Sequence, residues 1–134
     1  MTKHKIAVAG AGYIGLAHIG CLQTSATCEL SAIVDPSPAA EAIAQKAAVP
    51  LFKSLDALIK DSKPDGVILA TPNQFHVDHA MTCIDAGLPI LLEKPIATIL
   101  AEGERLVRYV EAKNATVLIG HHRAHSPIMA KAKE

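Results

Sequence analysis

Residues 5–15 read KIAVAGAGYIG, a short apolar run followed at once by the pattern GxGxxG. The run 5–9 is typical of a buried parallel strand, and the residues after it begin a predicted helix. In such a unit Gly10 permits the tight turn, Gly12 lets a diphosphate approach the backbone, and Gly15 lets the helix pack closely on its strand. The candidates for diphosphate contact, through free amides and the helix dipole, are therefore Gly10, Gly12, Tyr13, Ile14 and Gly15.

An acidic residue follows the second buried run at the distance that this kind of turn requires. Asp35 comes directly after the run 30–34, and a carboxylate about 20 residues beyond the glycines accepts hydrogen bonds from the adenosine ribose. The same charge repels a 2′-phosphate. Because neither Pro36 nor Ser37 supplies the cation that NADP needs, the sequence favours NAD as the cofactor over NADP. The alternative for Asp35 is a turn or helix-capping role, which Asp-Pro pairs often fill.

The rest of the chain alternates short apolar runs with longer amphipathic ones, which is typical of repeated βα units around a parallel sheet. Strands are predicted at 5–9, 30–34, 66–70, 89–92 and 116–119, with a weak one at 51–52. Helices are predicted at 13–22, 38–47, 55–61, 75–86 and 99–113. Ser37 and Thr98 are expected to cap the second and fifth helices, and Gly87 to end the fourth.

These elements predict an α/β fold, a doubly wound parallel sheet of about six strands in three αβα layers. At 134 residues the chain is long enough for one ordinary domain and too short for two, so residues 1–134 are interpreted as a single dinucleotide-binding domain. Residues 127–134 are expected to be the start of a truncated helix.

Composition argues against several kinds of partner. Thirteen basic residues balance 13 acidic ones, and aromatic residues make up only 3% of the chain, so no nucleic-acid partner is expected. Three cysteines without CxxC spacing favour neither a disulfide framework nor a zinc site. The first apolar run is far shorter than the roughly 20 residues that cross a bilayer, and we find no signal peptide. We therefore expect a cytoplasmic protein with no membrane partner.

Three later segments are similar to the Gfo/Idh/MocA family of sugar and polyol dehydrogenases. They are ATPN at 70–73 with His76 shortly after, EKP at 93–95, and GHHRAHSP at 120–127. Each follows a predicted strand, at the sheet edge where doubly wound folds bind ligands. The resemblance covers nearly the whole chain. It implies a Rossmann fold and an oxidoreductase that transfers a hydride between a nicotinamide cofactor and a sugar, polyol or related hydroxy compound.

The resemblance also implies a role for the EKP segment. In the family its lysine helps to position nicotinamide and substrate and assists proton movement from the alcohol, which makes Lys94 the catalytic candidate as well as a cofactor-binding one. Glu93 would orient it. A cis bond is common at this proline, so a cis Lys94-Pro95 bond is expected. From the residues alone, Lys94 could equally be a surface lysine before a turn.

The other two segments supply further cofactor-binding candidates. Thr71, Pro72, Asn73 and His76 match the family loop along the nicotinamide side of the cofactor, with a loop and helix cap as the alternative. His76 and His79 are three residues apart, but without a thiol pair or HExxH no metal is predicted. His122 and Arg123 are cofactor-binding candidates near the cofactor or substrate end of the cleft, with a purely structural role as the alternative. Ala124 stands where the family commonly has an arginine, so one contact expected there is missing.

Family members continue into a second α/β domain that covers the cleft and supplies most substrate contacts. Since that domain is absent from this sequence, we expect cofactor binding with little turnover, and self-association into a homo-oligomer through uncovered apolar surface. Two other classes stay open: a non-catalytic nucleotide-binding or sensing module, and, less favoured, an S-adenosylmethionine-dependent methyltransferase. Methyltransferase sites also combine a glycine turn with an acid after the second strand.

Overall fold

A computed structural model describes residues 2–134. Its strands are β1 (His4–Ala9), β2 (Cys28–Val34), β3 (Leu51–Phe52), β4 (Gly66–Leu69), β5 (Ile90–Leu92) and β6 (Val117–Ile119). They pair in parallel in the order β3-β2-β1-β4-β5-β6. The helices are α1 (Tyr13–Thr24), α2 (Ala40–Ala47), α3 (Leu55–Asp61), α4 (His76–Asp85), α5 (Leu100–Lys113) and α6 (Pro127–Ala132), with 3₁₀ helices at Asn73–Phe75 and His122–His125.

This architecture confirms the predicted doubly wound α/β fold. Each predicted strand and helix is present, and α6 lies in the segment where a further helix was expected. Gly87 ends α4 with φ at +72°, as predicted. The two predicted helix caps are wrong, because α2 begins at Ala40 and α5 at Leu100, and neither Ser37 nor Thr98 is the residue directly before its helix.

The core lies on both faces of the sheet because successive side chains of a strand point to opposite sides. On one face Ala7, Ala9 and Leu69 pack with residues of α3, α4 and α5. On the other, Val8 and Ile33 pack with residues of α1 and α2. All four residues of β4 are buried, which explains why the central strands read as continuous apolar runs.

Steric limits at the glycine turn fix the position of α1 against the sheet. Gly10 has φ at +91°, and a Cβ there would lie 2.4 Å from the Ala70 carbonyl oxygen. A Cβ on Gly15 would lie 1.8 Å from the carbonyl oxygen of Gly10, so α1 crosses the turn in backbone contact. At Gly12 a Cβ would meet nothing within 4 Å. Two of the glycines are therefore required for packing, whereas the third faces open space.

Cys83 lies in the core, where burial raises the pKa of its thiol to about 12. At that pKa the thiol stays protonated and acts as a small apolar side chain. No helix within residues 2–134 is both long and apolar enough to cross a membrane.

We predict that Gly15→Ala destabilises the fold by about 3 kcal/mol, at the upper end of the usual cost of overpacking, because the added methyl group meets backbone rather than a movable side chain. Chemical denaturation followed by circular dichroism measures the change. Gly20→Ala is the matched control, since Gly20 lies in the same helix with nothing within 4 Å of a Cβ. It should stabilise α1 by up to about 1 kcal/mol. Equal stability of Gly15→Ala and wild type would contradict the packing argument.

Candidate functional site

The candidate side chains gather where the strands end. Because all strands run in parallel, their carboxyl ends lie along one edge of the sheet. Gly10 follows β1, Asp35 follows β2, Ala70 follows β4 and Glu93 follows β5. From β1 the chain continues to β2 on one side of the sheet, and from β4 it continues to β5 on the other side. Because the connections after β1 and β4 lead in opposite directions, a crevice opens between their loops at that edge.

Asp35 is bonded directly to the glycine turn. Its Oδ2 accepts a hydrogen bond of 2.8 Å from the Ala11 amide, and its Oδ1 accepts one of 2.8 Å from the Ser37 amide. The first bond within α1 runs from the Leu16 amide to the Gly12 carbonyl at 2.9 Å. The amides of the first turn, those of Tyr13, Ile14 and Gly15, therefore have no backbone acceptor among residues 2–134 and are available to an anion.

These bonds also set the charge of Asp35. Burial raises the pKa of the carboxyl, but the hydrogen bonds from Ala11 and Ser37 and the nearby charge of Lys53 outweigh it, so that the pKa lies below its usual value of 3.8. Asp35 is therefore ionised at neutral pH. A carboxylate oxygen has two lone pairs, so each oxygen keeps acceptor capacity beyond its bond to the protein.

A cavity of about 380 Å³ opens between the loops that follow β1, β2, β3 and β4. Asp35 lines it on one side and Thr71 and Pro72 on the other. The remaining wall consists mainly of apolar and small polar side chains, with two further charged groups; it comprises Ala9, Gly10, Val34, Pro36, Lys53, Ser54, Leu55, Asp56, Phe75, His79 and Thr82.

Two aromatic rings contribute to this cavity from the β4 side. Phe75 is 45% exposed and stacks on His79 with ring centroids 5.5 Å apart. His79 Nδ1 lies 3.0 Å from the Thr71 hydroxyl. Burial lowers the pKa of His79, and repulsion from His76 lowers it further. The negative charges of Asp78 and Asp56 raise the pKa, but they do not outweigh burial. The cavity is therefore bordered by a neutral imidazole and an exposed phenyl ring.

A second pocket, of about 670 Å³, brings together candidates from two of the sequence motifs. Lys94 lines it with His122, Arg123 and Met129. The predicted cis bond between Lys94 and Pro95 is present. Lys94 and the segment 121–125 are exposed to solvent. The EKP lysine and the histidine-rich segment thus share one open pocket.

Glu93 does not line either of these pockets and is bonded to α1 instead. Its Oε1 lies 2.8 Å from His18 Nε2, with 12% of the Glu93 side chain exposed. On the other side it lies against Gly120, where a Cβ would come within 2.9 Å of the carboxylate. Its Oε2 also accepts a bond of 3.3 Å from the Lys94 amide. Glu93 therefore connects β5, α1 and the end of β6 directly before Lys94.

His76 lies between the EKP segment and the 70–73 loop. It is buried at 1% exposure, with Nδ1 2.7 Å from the Pro95 carbonyl oxygen and Nε2 2.9 Å from that of Thr71. Since both nitrogens already face protein oxygens, His76 joins the EKP segment to the 70–73 loop and has no nitrogen left for a ligand. Asn73 is exposed at the start of a 3₁₀ helix and lines neither pocket.

Sequence reasoning missed Lys53, Phe75, His79 and His18. The first three line the cavity beside Asp35, and the last binds Glu93. Lys53 had a usable signal, because it follows the short strand next to β2. The contact between His18 and Glu93 spans 75 residues and had no local signal.

A glycine turn with free helix amides, an ionised acid after β2 and a crevice at the strand reversal together define a dinucleotide-binding domain. The comparisons agree with this class. The model of the Gfo/Idh/MocA oxidoreductase family, which has an NAD-binding Rossmann fold, matches residues 4–121. The chain belongs to this family, and the match favours NAD over S-adenosylmethionine.

Individual relatives of known name also match most or all of the chain. The chain is 33% identical over 135 residues to inositol 2-dehydrogenase 2 of Saccharopolyspora erythraea, covering 96% of this chain and 39% of that protein. It is 28% identical to the rhizopine catabolism protein MocA of Rhizobium meliloti, over all of this chain and 42% of that protein. It thus spans about two fifths of the length of these curated relatives.

Among solved structures, scyllo-inositol dehydrogenase from Lactobacillus casei, with bound NAD(H) and scyllo-inositol, superimposes with a TM-score of 0.92. The alignment covers 98% of this chain and 40% of that one at 23% identity. At this level of identity the likeness supports the fold alone.

We predict that Asp35→Asn lowers the free energy of unfolding by about 1 kcal/mol near neutral pH, because an amide nitrogen replaces one of the two acceptors that Ala11 and Ser37 use. The folded-state pKa of Asp35 is depressed, so its stabilisation is complete above 3.8, the unfolded value, and is lost as pH falls through the lower folded value. The difference from wild type should therefore shrink in acid. Urea titrations at neutral and acid pH measure it.

Asp61→Asn is the control for this series, because Asp61 is an exposed carboxylate at the end of α3, far from the turn in sequence. Its effect on stability should be small at both pH values. A constant difference between Asp35→Asn and wild type across the pH range would contradict the bonded, ionised state of Asp35.

Proposed function

We propose that this chain holds NAD(H) in the crevice at the strand reversal and forms the cofactor half of a dehydrogenase for a sugar, polyol or related hydroxy compound. One observation carries the proposal: the Asp35 carboxylate is bonded to the glycine turn while lining the adjacent cavity. The substrate class is supported by the relative from Saccharopolyspora erythraea, which is named as an inositol 2-dehydrogenase.

The residues at the turn fit the adenosine diphosphate part of such a cofactor. The free amides of the first turn of α1 and the open space at Gly12 suit the diphosphate. The spare lone pairs of Asp35 suit the hydroxyls of the adenosine ribose. Pro36, Leu55 and Phe75 give the cavity an apolar wall for the adenine ring. We therefore assign Thr71 and Pro72, which share this cavity, to the adenosine side of the cleft and not to the nicotinamide side that the family resemblance implies.

The second pocket suits the reacting end. A bound nicotinamide supplies the hydride acceptor or donor. Lys94, exposed in this pocket, would accept the alcohol proton during oxidation and return it during reduction. His122 and Arg123 would hydrogen-bond substrate hydroxyls from the same pocket. Glu93 would hold the backbone at Lys94 in place through its bonds to His18 and to the Lys94 amide.

Several further predictions accompany this function. We propose that the chain is one domain, that a second domain of the family kind completes the substrate site, and that the protein is cytoplasmic. Self-association remains an expectation supported by exposed apolar side chains, among them Leu100 at 78% and Ile128 at 81%.

We predict that Gly12→Val weakens NADH binding at least about tenfold, since the new side chain occupies the space that the diphosphate needs. The fold should survive, because a Cβ at this position meets nothing within 4 Å. Isothermal titration calorimetry measures binding, and thermal melting measures stability. Gly20→Val, at another open position of α1, is the control and should bind NADH like wild type.

The same titration separates the classes of function. Binding of S-adenosylmethionine without NADH binding would contradict the proposal. If the chain binds NADH but added hydroxy compounds never cause a change in NADH absorbance, the result would instead favour a sensing module.

We predict that the chain oxidises polyols such as inositol slowly, because Lys94 and residues 121–125 are open to water. Lys94→Ala should lower this residual rate by about 100-fold while leaving the NADH dissociation constant within about twofold. NADH absorbance at high protein concentration measures the rate. Lys131→Ala, an exposed lysine on α6, is the control. An unchanged rate in Lys94→Ala would exclude this lysine from the proton transfer.

A further inference from the structure

Lys53 lies beside Asp35 because β2 and β3 are paired. Val34 is in register with Phe52, so the residues that follow the two strands, Asp35 and Lys53, emerge next to each other. The Asp35 amide donates to the Phe52 carbonyl at 2.9 Å, which extends the pairing to the end of the strands. Both side chains line the 380 Å³ cavity. A cation therefore lies at the ribose side of the site, although neither Pro36 nor Ser37, the residues directly after Asp35, is basic.

The other charges at this place limit what Lys53 can attract. Its Nζ lies 3.4 Å from Oε1 of Glu41 on α2, and the two side chains are 53% and 64% exposed. Asp35 and Asp56 line the cavity as well, so acidic groups outnumber the lysine. With Glu41 beside it, Lys53 offers little net positive charge to a ligand.

The charges around Lys53 bear on the 2′-phosphate, the one group by which NADP differs from NAD. The 2′-phosphate sits on the adenosine ribose, the sugar that an acid at the position of Asp35 binds. A phosphate monoester carries close to two negative charges at neutral pH. Asp35 and Asp56 repel it, a lysine with a free ammonium group attracts it, and a paired lysine attracts it less.

We propose that the Lys53–Glu41 pair is a determinant of cofactor choice: Glu41 neutralises a lysine that would otherwise admit the 2′-phosphate of NADP. The inference rests on the proposed cofactor site. The preference for NAD over NADP then has two causes: Asp35 repels the 2′-phosphate, and Glu41 pairs with Lys53. Removing Glu41 eliminates only the second cause, so the chain should still bind NADH more tightly than NADPH, but by a smaller factor.

The test is a set of calorimetric titrations with NADH and NADPH at low ionic strength, where exposed charges act most strongly. Glu41→Gln should tighten NADPH binding about three- to tenfold, because it breaks an exposed ion pair and removes one negative charge near the 2′-phosphate. NADH binding should stay within about twofold. Lys53→Ala should weaken NADPH binding by a similar factor, and the tightening in Glu41→Gln should vanish at high salt.

The double variant Glu41→Gln/Lys53→Ala shows whether Glu41 acts through the lysine. We expect it to bind NADPH no more tightly than Lys53→Ala alone. If Glu41→Gln still tightens NADPH binding in the Lys53→Ala background by the same factor, Glu41 acts as a general charge and the pair is not a determinant. Equal weakening of NADH and NADPH by Lys53→Ala would also overturn the proposal, because the lysine would then serve the part that both cofactors share.

Lys46→Ala is the matched control, since it removes one exposed lysine from α2 without touching the cavity. It should leave the ratio of NADPH to NADH affinity unchanged. The ratio also separates this inference from the proposed function. Wild-type chain that binds neither dinucleotide overturns both, whereas NADH binding with a ratio that Glu41 and Lys53 do not alter overturns the inference alone.

Discussion

The hydrogen bond between the Ala11 amide and the Asp35 carboxylate is the interaction on which the rest of the site depends. It joins the turn after β1 to the end of β2 across 24 residues of sequence. The bond helps to lower the pKa of Asp35, and the same carboxylate lines the cavity. One carboxylate thus orders the protein backbone while keeping lone pairs for a ligand.

The fold was largely predictable because its signals are local. Continuous apolar runs mark buried strands, and the glycine turn marks the first strand and helix as a unit. The cap predicted at Ser37 failed because the chain first forms a tighter turn: the Ala40 amide donates to the Ser37 carbonyl and the Glu41 amide to the Pro38 carbonyl, so α2 begins only at Ala40. Capping at Thr98 failed similarly, because Ile99 is extended and separates it from α5.

The site was only partly predictable, since some of its contacts come from elements far apart in the chain. The motifs identified Gly10, Gly12, Asp35 and Lys94, which lie at one edge of the sheet. They could not show that both nitrogens of His76 are occupied by carbonyl oxygens, because that depends on how two loops meet. Lys53 likewise reaches the cavity through strand register and not through sequence proximity.

Gly120 shows how unevenly neighbouring positions of the second pocket tolerate substitution. A Cβ there would lie 2.9 Å from the Glu93 carboxylate, which would have to shift and so disturb its bond to His18. The residues that follow, 121–125, are exposed and free of such restraint. Substitutions at residues 121–125 therefore reshape this pocket without displacing Glu93, so laboratory evolution of this chain should randomise those five positions and keep Gly120.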